Sequence, residues 1–365
     1  MNKNALEVLI CPETKSELDL FPIENTRIGD SEEITIGLLQ SKKNAGIIYP
    51  IVNGIPRMLP NSLQEHLPAI LEYRDRIPVT LLQEIEKNNV RNASAGKAYT
   101  HAKNSFSSEW KELKSGRAWG VSLEFRKQHF LKCLQIEAGD LFGKTIFDAG
   151  CGNGDVDVSL IDSGANLFSM DISDSVDLVR GRIENEYPEL IKKICIVQGN
   201  VANPPFSKES FDYVFSSGVL HHTPNTQISF NAISETVKKG GRCSILVYSL
   251  DGKNFLDKIY YYTATPLKII TTKMPHMLLH MFCYIGAIFF WCFVRIVGIF
   301  FQKNRYTGRN RTLKEYELSL FDTYSPLYAH HHSTNEVIGW FEKLTYSSTS
   351  VVYTDHILTC VVGIK

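Results

Sequence analysis

Short apolar runs and polar breaks divide the chain into stretches of different period. Between residues 144 and 250 the runs TIFDA, KICIVQ, FDYVFSS and CSILVYS alternate with segments of helical spacing, which predicts a parallel α/β sheet. Residues 61–140 carry apolar positions at helical spacing, in LPAILEYRDRIPVTLLQEI and again in LEFRKQHFLKCLQI. The first 60 residues combine a helical start (NALEVLI), a CPET turn and a β-rich stretch ending in GIIYPIVNGIPRML. Beyond 250 an apolar run over 277–301 is followed by the helical pattern STNEVIGWFEKL and two strand-like runs, STSVVYT and HILTCVVGI. The expected division is a small domain over 1–60, helices over 61–140, an α/β core over 141–250, an apolar insert over 251–320, and a helix with two closing strands over 321–365.

Composition narrows the function classes. Lys+Arg and Asp+Glu both number 39, so the net charge is zero and the broad positive field of a nucleic-acid binder is missing. The eight cysteines form no C-x-x-C pair, and several sit in apolar runs such as KICIVQ. That usage predicts reduced, buried thiols in a cytoplasmic protein, and the opening MNKNALEVLICPETKSE does not read as a signal peptide.

The strongest chemical signal is TIFDAGCGNGDVDVSLI. Gly150, Gly152 and Gly154 follow a short apolar strand, where glycines let the backbone turn sharply and approach a ligand. A nicotinamide-binding turn is the rival reading. Asp148, just before the glycines, would repel a diphosphate but suits an amine. Asp171, ending the next strand, is placed to accept both hydroxyls of a ribose.

With FDAGCGNGD, MDIS, QGNVANPPFSKESFDYVFSSGVLHH and VKKGGR in place, residues 95–250 resemble a class I S-adenosyl-L-methionine-dependent methyltransferase of the small-molecule type. The resemblance implies a Rossmann-like seven-stranded sheet. It also implies a cofactor site in which Asp148, Gly150, Gly152 and Gly154 meet the methionine end and Asp171 with Ile172 the ribose. Asn200 and Val201 would border the adenine, and Ser217 would complete the pocket. The position of Asn200 is more often Asp in that family, so weaker adenine binding is expected. Residues 1–60 resemble the zinc-ribbon-like domain of the activator subunit of tRNA and protein methyltransferases, through LEVLICPETKSELDL and YPIVNGIPRMLP. That family has Cys-Pro-x-Cys; here Cys11-Pro12 is followed by Glu13 and Thr14, and no further Cys occurs before 133. One thiol does not make a four-ligand zinc site, so a metal-free docking or packing module is expected.

Asn203-Pro204-Pro205-Phe206 invites comparison with the motif by which amino-methyltransferases hold a target amine, but it precedes the fourth strand instead of following it. It is therefore read as a turn with Phe206 packed under the sheet. SSGVLHHTP takes the catalytic position, and His222 or His221 is a candidate base, although methyl transfer depends chiefly on in-line orientation. Tyr99, Phe106 and Trp110 are candidates for an aromatic lid against the sulfonium, with Trp110 carried as a cofactor residue; core packing explains them equally.

Residues 277–301 are long enough to cross a bilayer, and Lys303, Arg305, Arg309, Arg311 and Lys314 follow. A single crossing would place the fifth strand and the last two on opposite sides of a membrane, which one sheet does not allow. A lid that docks on membrane, a surface helix and a re-entrant hairpin broken near Gly286 remain, beside a buried helix or a dimer contact. Asp322, Tyr324, Tyr328 and His330 to His332 are expected near the pocket mouth, the histidines without metal. The reading is a small-molecule methyltransferase acting on an O or N atom of an amphipathic or lipid-linked acceptor. It is cytoplasmic or peripheral on the inner face of the membrane and without nucleic acid. A quinone-type C-methyltransferase and a cofactor-binding inactive partner subunit are the alternatives, and the oligomeric state is open.

Overall fold

The computed structural model describes residues 1–28, 31–89, 97–112, 121–253, 266–300 and 312–365. A small antiparallel sheet opens the chain: β1 (Leu18–Ile28), β2 (Ser31–Ser41), β3 (Ile48–Val52) and β4 (Ile55–Pro56) in that order. Asn53-Gly54 joins the last two, both residues at positive φ (55° and 73°), the backbone a two-residue hairpin requires. Helices α1 (Ser62–Leu71) and α2 (Val79–Asn89) cover one face, burying Leu63, Ile70, Leu81 and Ile85 against Ile36, Leu38, Ile48 and Val52. Then follow α3 (Lys97–Glu112) and α4 (Leu123–Leu134), the latter capped by Ser122 Oγ, which accepts from Phe125 N at 3.2 Å.

The second unit is a seven-stranded sheet. Its elements run β5 (Thr145–Ala149), α5 (Asp155–Ser159), β6 (Asn166–Asp171), α6 (Ser175–Glu186), β7 (Ile194–Gln198), β8 (Phe211–Ser217), α7 (Thr226–Glu235) and β9 (Val237–Tyr248). After α8 (His276–Phe300), α9 (Leu313–Tyr324) and α10 (Thr334–Lys343) come β10 (Ser348–Thr354) and β11 (Leu358–Ile364). The spatial order is β10-β11-β9-β8-β5-β6-β7, parallel throughout except for β11, which runs antiparallel to both neighbours. The inner strands read as continuous apolar runs because helices cover both faces; β7 is buried along its whole length. The chain leaves β5 toward β6 and β7, then returns to β8 on the other side. That reversal opens a crevice beyond the carboxyl ends of β5 and β8.

The N-terminal sheet is bound to the core at two places. Met58 N donates to Gln198 O at 2.8 Å, alongside a parallel bridge between Arg57 and Gln198, so this segment covers the edge of β7. The buried Arg57 guanidinium clasps the Asp177 carboxylate at 2.5 and 3.0 Å, and Arg180 pairs with Glu33 in a fully buried contact. At the second place Asn203-Pro204-Pro205-Phe206 meets the CPET turn. Ile10 N donates to Pro205 O (2.9 Å), Ser207 N to Val8 O (2.9 Å), and Asn203 Nδ2 to Pro12 O (3.0 Å). Phe206 stands edge-on to Phe147, Phe168 and Phe211 at 4.8–5.9 Å between ring centroids. Where the resembled domain carries its second cysteine, Thr14 Oγ1 lies 2.8 Å from Ser16 Oγ and 2.9 Å from Ser41 Oγ, and Cys11 Sγ accepts from Thr14 N at 3.4 Å.

One alternative for the insert falls, and one helix cap is incomplete. The apolar insert is not a hairpin broken near Gly286: α8 runs unbroken through that position, where the small residue admits Leu320 of α9. Helix α10 starts with only half of a capping box. Ser333 Oγ accepts from Glu336 N at 3.2 Å, while the Glu336 carboxylate turns to His332 Nδ1 at 3.0 Å.

Candidate functional site

A cavity of about 570 Å³ lies at the carboxyl ends of β5, β6 and β8, within the roughly 300–1,000 Å³ typical of small-molecule sites. Its floor is the turn after β5. Gly150 and Gly152 sit at φ 99° and 54°, where side chains are strained, and a Cβ on Gly150 would come within 2.3 Å of Val219. Asp171, at the end of β6, fixes this turn. Its Oδ2 accepts from Gly152 N (3.0 Å), and its Oδ1 accepts from Ser173 N (2.8 Å) and Oγ (2.7 Å). Asp148, Ile172, Asn200, Val201 and Ser217 also line the cavity. Gly154 does not: it precedes α5 and packs against Val179 of α6. Asn200 Oδ1 accepts from Ala202 N at 2.9 Å, which holds the side chain in place at the loop after β7.

Helix α3 roofs the cavity with one face, on which Ala102, Phe106, Glu109 and Trp110 recur at helical spacing. The Trp110 ring lies over Gly152, within 2.5 Å of where a Cβ would be. Tyr99 falls outside the residues whose side chains are described. Phe106 meets the His222 ring at 5.6 Å.

His221 and His222 sit on the short 3₁₀ turn after β8, both buried. His222 Nδ1 is 2.9 Å from the carbonyl of Tyr328; a carbonyl only accepts, so Nδ1 carries the proton and Nε2 the lone pair. Burial, opposed by that hydrogen bond, pushes the imidazole down to about 4, so it is neutral at pH 7. His221 stacks on Tyr248 at 3.8 Å, and neither ring nitrogen meets a partner among the described residues. Burial and the neighbouring histidines hold it well below the usual imidazole range. His330 to His332 diverge: His332 binds Thr226 and Glu336, His331 stacks on Tyr248, and none lines the cavity.

Two carboxyl groups complete the walls. Glu109 is 2% exposed, and its Oε2 has no partner among the described residues. Burial first, then the nearby Asp322 and Asp171, push it well above the usual carboxylate range. Asp322 of α9 reaches the cavity from the insert and is pushed up to about 6 by burial, against the opposing pull of Lys268 and the Tyr248 hydroxyl. Arg126 of α4 brings a cation to the same lining. Asp322 and Tyr328 were expected at the pocket, whereas Glu109 and Arg126 were not. The available signal for Glu109 was a lone carboxylate on the otherwise apolar face of α3.

Residues 147–245 match the family model described as a methyltransferase domain. The chain is similar to the ubiquinone biosynthesis O-methyltransferases of Aeromonas salmonicida and Salmonella newport. It is 26% identical to each, over 151 and 156 residues, which is 40% of this chain and 62% and 61% of theirs. It thus spans about three fifths of the length of these curated relatives. Among solved structures it is similar to magnesium protoporphyrin IX methyltransferase from Synechocystis (13% identity, 73% of this chain and 99% of that one, TM-score 0.43). A second is a methyltransferase from Aquifex aeolicus (13% identity, 71% and 97%, TM-score 0.40). At such scores the fold assignment rests on the strand order itself. The glycine turn and the acidic end of β6 lie within the span, residues 147–245, that matches the methyltransferase domain model.

Proposed function

We propose that the whole chain is an S-adenosylmethionine-dependent methyltransferase acting on an oxygen or nitrogen atom of a small molecule. One observation carries the reading: the glycine turn, the Asp171 carboxylate and the neutral His222 imidazole line a single cavity. The residues fit the cofactor. A side chain on Gly150 would fill the cradle, Asp171 Oδ2 keeps a lone pair for a hydroxyl, and the buried Glu109 carboxyl and the Arg126 cation offer polar partners to an amino acid end. When bound, the cofactor supplies an electrophilic methyl on a positively charged sulfur.

In this reading Gly150 and Gly152 hold the methionine end with Asp148 behind them, Asp171 and Ile172 hold the ribose, and Asn200 and Val201 border the adenine. Ser217 closes the floor and Trp110 the roof. Gly154 shapes α5 and acts through the turn. His222 Nε2 receives the proton of the acceptor, because Tyr328 holds the other nitrogen protonated. His221 orients it from behind. The O-methyl transfer named for the relatives favours a hydroxyl acceptor. The same reading assigns 1–60 to docking, 61–140 to linking and roofing, and 251–320 to enclosing the acceptor. It places the protein in the cytoplasm.

Calorimetry with S-adenosylmethionine and S-adenosylhomocysteine tests the cofactor site. Asp171→Ala removes charged acceptors worth on the order of 1.5–3 kcal/mol each, so affinity is expected to fall about 100-fold or more. Wild-type protein that binds neither ligand overturns the reading. Mass spectrometry of small-molecule extracts incubated with protein and cofactor is expected to show species heavier by one methyl. Binding with no such product assigns the chain to an inactive partner subunit.

A further inference from the structure

We propose that the α8–α9 hairpin is a docking surface for an anionic lipid bilayer. It seats the protein on the membrane surface without spanning it. The first observation is the pattern along α8. Leu279, Cys283 and Ala287, four residues apart, are fully buried, and Leu279 and Cys283 pack on Phe321 of α9. Every other direction is apolar and open. Met277 is 79% exposed, Phe289 73% and Phe293 61%, with Met281, Tyr284, Ile285 and Phe290 between 46% and 56%. A helix in water keeps a polar face, and this one has none from Met277 to Val294 apart from His280, which hydrogen-bonds Glu317. Such a contiguous patch needs a cover.

The second observation is charge, and it selects the cover. Residues 258–314 contain nine Lys and Arg and no Asp or Glu, in a chain whose net charge is zero. Lys303, Arg305, Arg309, Arg311 and Lys314 directly follow the apolar helix in sequence. An anionic headgroup layer over acyl chains matches both the apolar face and the basic segment that follows it in sequence. Arg295, stacked on Trp291 at 3.9 Å, puts an amphipathic pair of the interfacial type near the helix end.

The topology excludes a single crossing, and α9, 12 residues long and carrying Lys314, Glu315, Glu317 and Asp322, is too short and too charged to return through a bilayer. Strand β9 before the hairpin and β11 after it are hydrogen-bonded neighbours in one sheet, and α9 runs back antiparallel along α8. Helix α9 has a double allegiance, since Leu320 and Phe321 hold α8 while Asp322 lines the cavity. Docking therefore sets the cavity wall next to lipid, which suits an amphipathic acceptor.

Flotation of the full chain with phosphatidylcholine vesicles, with and without phosphatidylglycerol, tests the proposal. Protein is expected to float with the anionic vesicles and to lose most of that binding at 0.5 M salt, a value of about 3 Å to 5 Å in screening length. The triple variant Met281→Gln, Phe289→Gln, Phe293→Gln is expected to bind vesicles at least about tenfold more weakly. Its S-adenosylhomocysteine affinity and melting curve should stay unchanged, which shows that it folds. If it does not fold, the charge reversals Arg305→Glu, Arg309→Glu and Arg311→Glu take its place and should abolish the preference for anionic vesicles. Wild-type protein that stays soluble with anionic vesicles overturns the proposal. So does a folded triple variant that still floats, or a dimer by light scattering that the triple variant converts to monomer. Vesicle binding is read without turnover, so it stands or falls separately from methyl transfer.

Discussion

Glu109 shows how one side chain couples the fold to pH. Its carboxyl is buried beside Asp322 and Asp171, and all three effects favour the protonated form. In the unfolded chain a glutamate ionises near 4.3. Above that value the folded state binds more protons than the unfolded one, so stability falls as pH rises until the folded group also ionises. His222 acts in the opposite direction: its folded value of about 4 lies below the unfolded 6.5, so its contribution is lost as pH falls from 6.5 toward 4. Comparison with Glu109→Gln isolates the carboxyl, because the histidine is common to both proteins. The variant is expected to be more stable than wild type by about 1–3 kcal/mol at pH 8, with the gain vanishing near pH 4. Urea denaturation at the two pH values reads this. Equal stability at pH 8 would mean that Glu109 is ionised and held by a cation.

At the scale of elements, the segment Asn203-Pro204-Pro205-Phe206 separates what sequence carries from what it does not. Its place before β8 was enough to remove it from the catalytic position and to bury Phe206 among Phe147, Phe168 and Phe211. Its bond to the CPET turn 190 or so residues earlier was not legible, because no local pattern reports a contact between distant loops. Phe206→Ala is expected to lower stability by about 3–5 kcal/mol in urea, with S-adenosylhomocysteine affinity kept within about twofold, since the ring lies outside the cavity. A large loss of affinity at unchanged stability would return the segment to the site. The strands were legible for the same local reason: TIFDA and FDYVFSS are apolar runs bounded by turn residues, and the structure begins and ends them within a residue or two. Ser333-x-x-Glu336 has the spacing of a capping box but forms only half of one, because a third partner, His332, competes for the glutamate. The alternative of a break at Gly286 falls, since a helical glycine also serves where a neighbouring helix comes close.

The whole molecule assembles its cavity from segments that lie far apart in the chain. The floor comes from β5, β6 and β8, the roof from α3, and one wall from α9, which follows the apolar hairpin. The glycine turn and Asp171 were readable because the turn chemistry is local. Glu109 and Arg126 were not, because the helices that carry them become part of the site only when the sheet gives them a surface to cross. This construction makes a prediction about stability across the fold. A ligand that binds the folded state stabilises it by about 2.7 kcal/mol at 100 times its dissociation constant, and the gain appears where the ligand's contacts restrain local opening. S-adenosylhomocysteine is therefore expected to slow amide exchange together in three places: the turn at 150–154, α3 over 97–112, and α9 over 313–324. The N-terminal sheet, joined to the core at β7 and at the 203–206 loop, neither junction lining the cavity at its contacts, should be unchanged. Mass-resolved hydrogen exchange with and without the ligand reads each segment separately. Protection confined to the turn would mean that roof and wall do not close on the cofactor, and that α3 and α9 serve the acceptor alone. Protection of α3 without α9 would divide the cavity into a cofactor half under the roof and an acceptor half beside the hairpin.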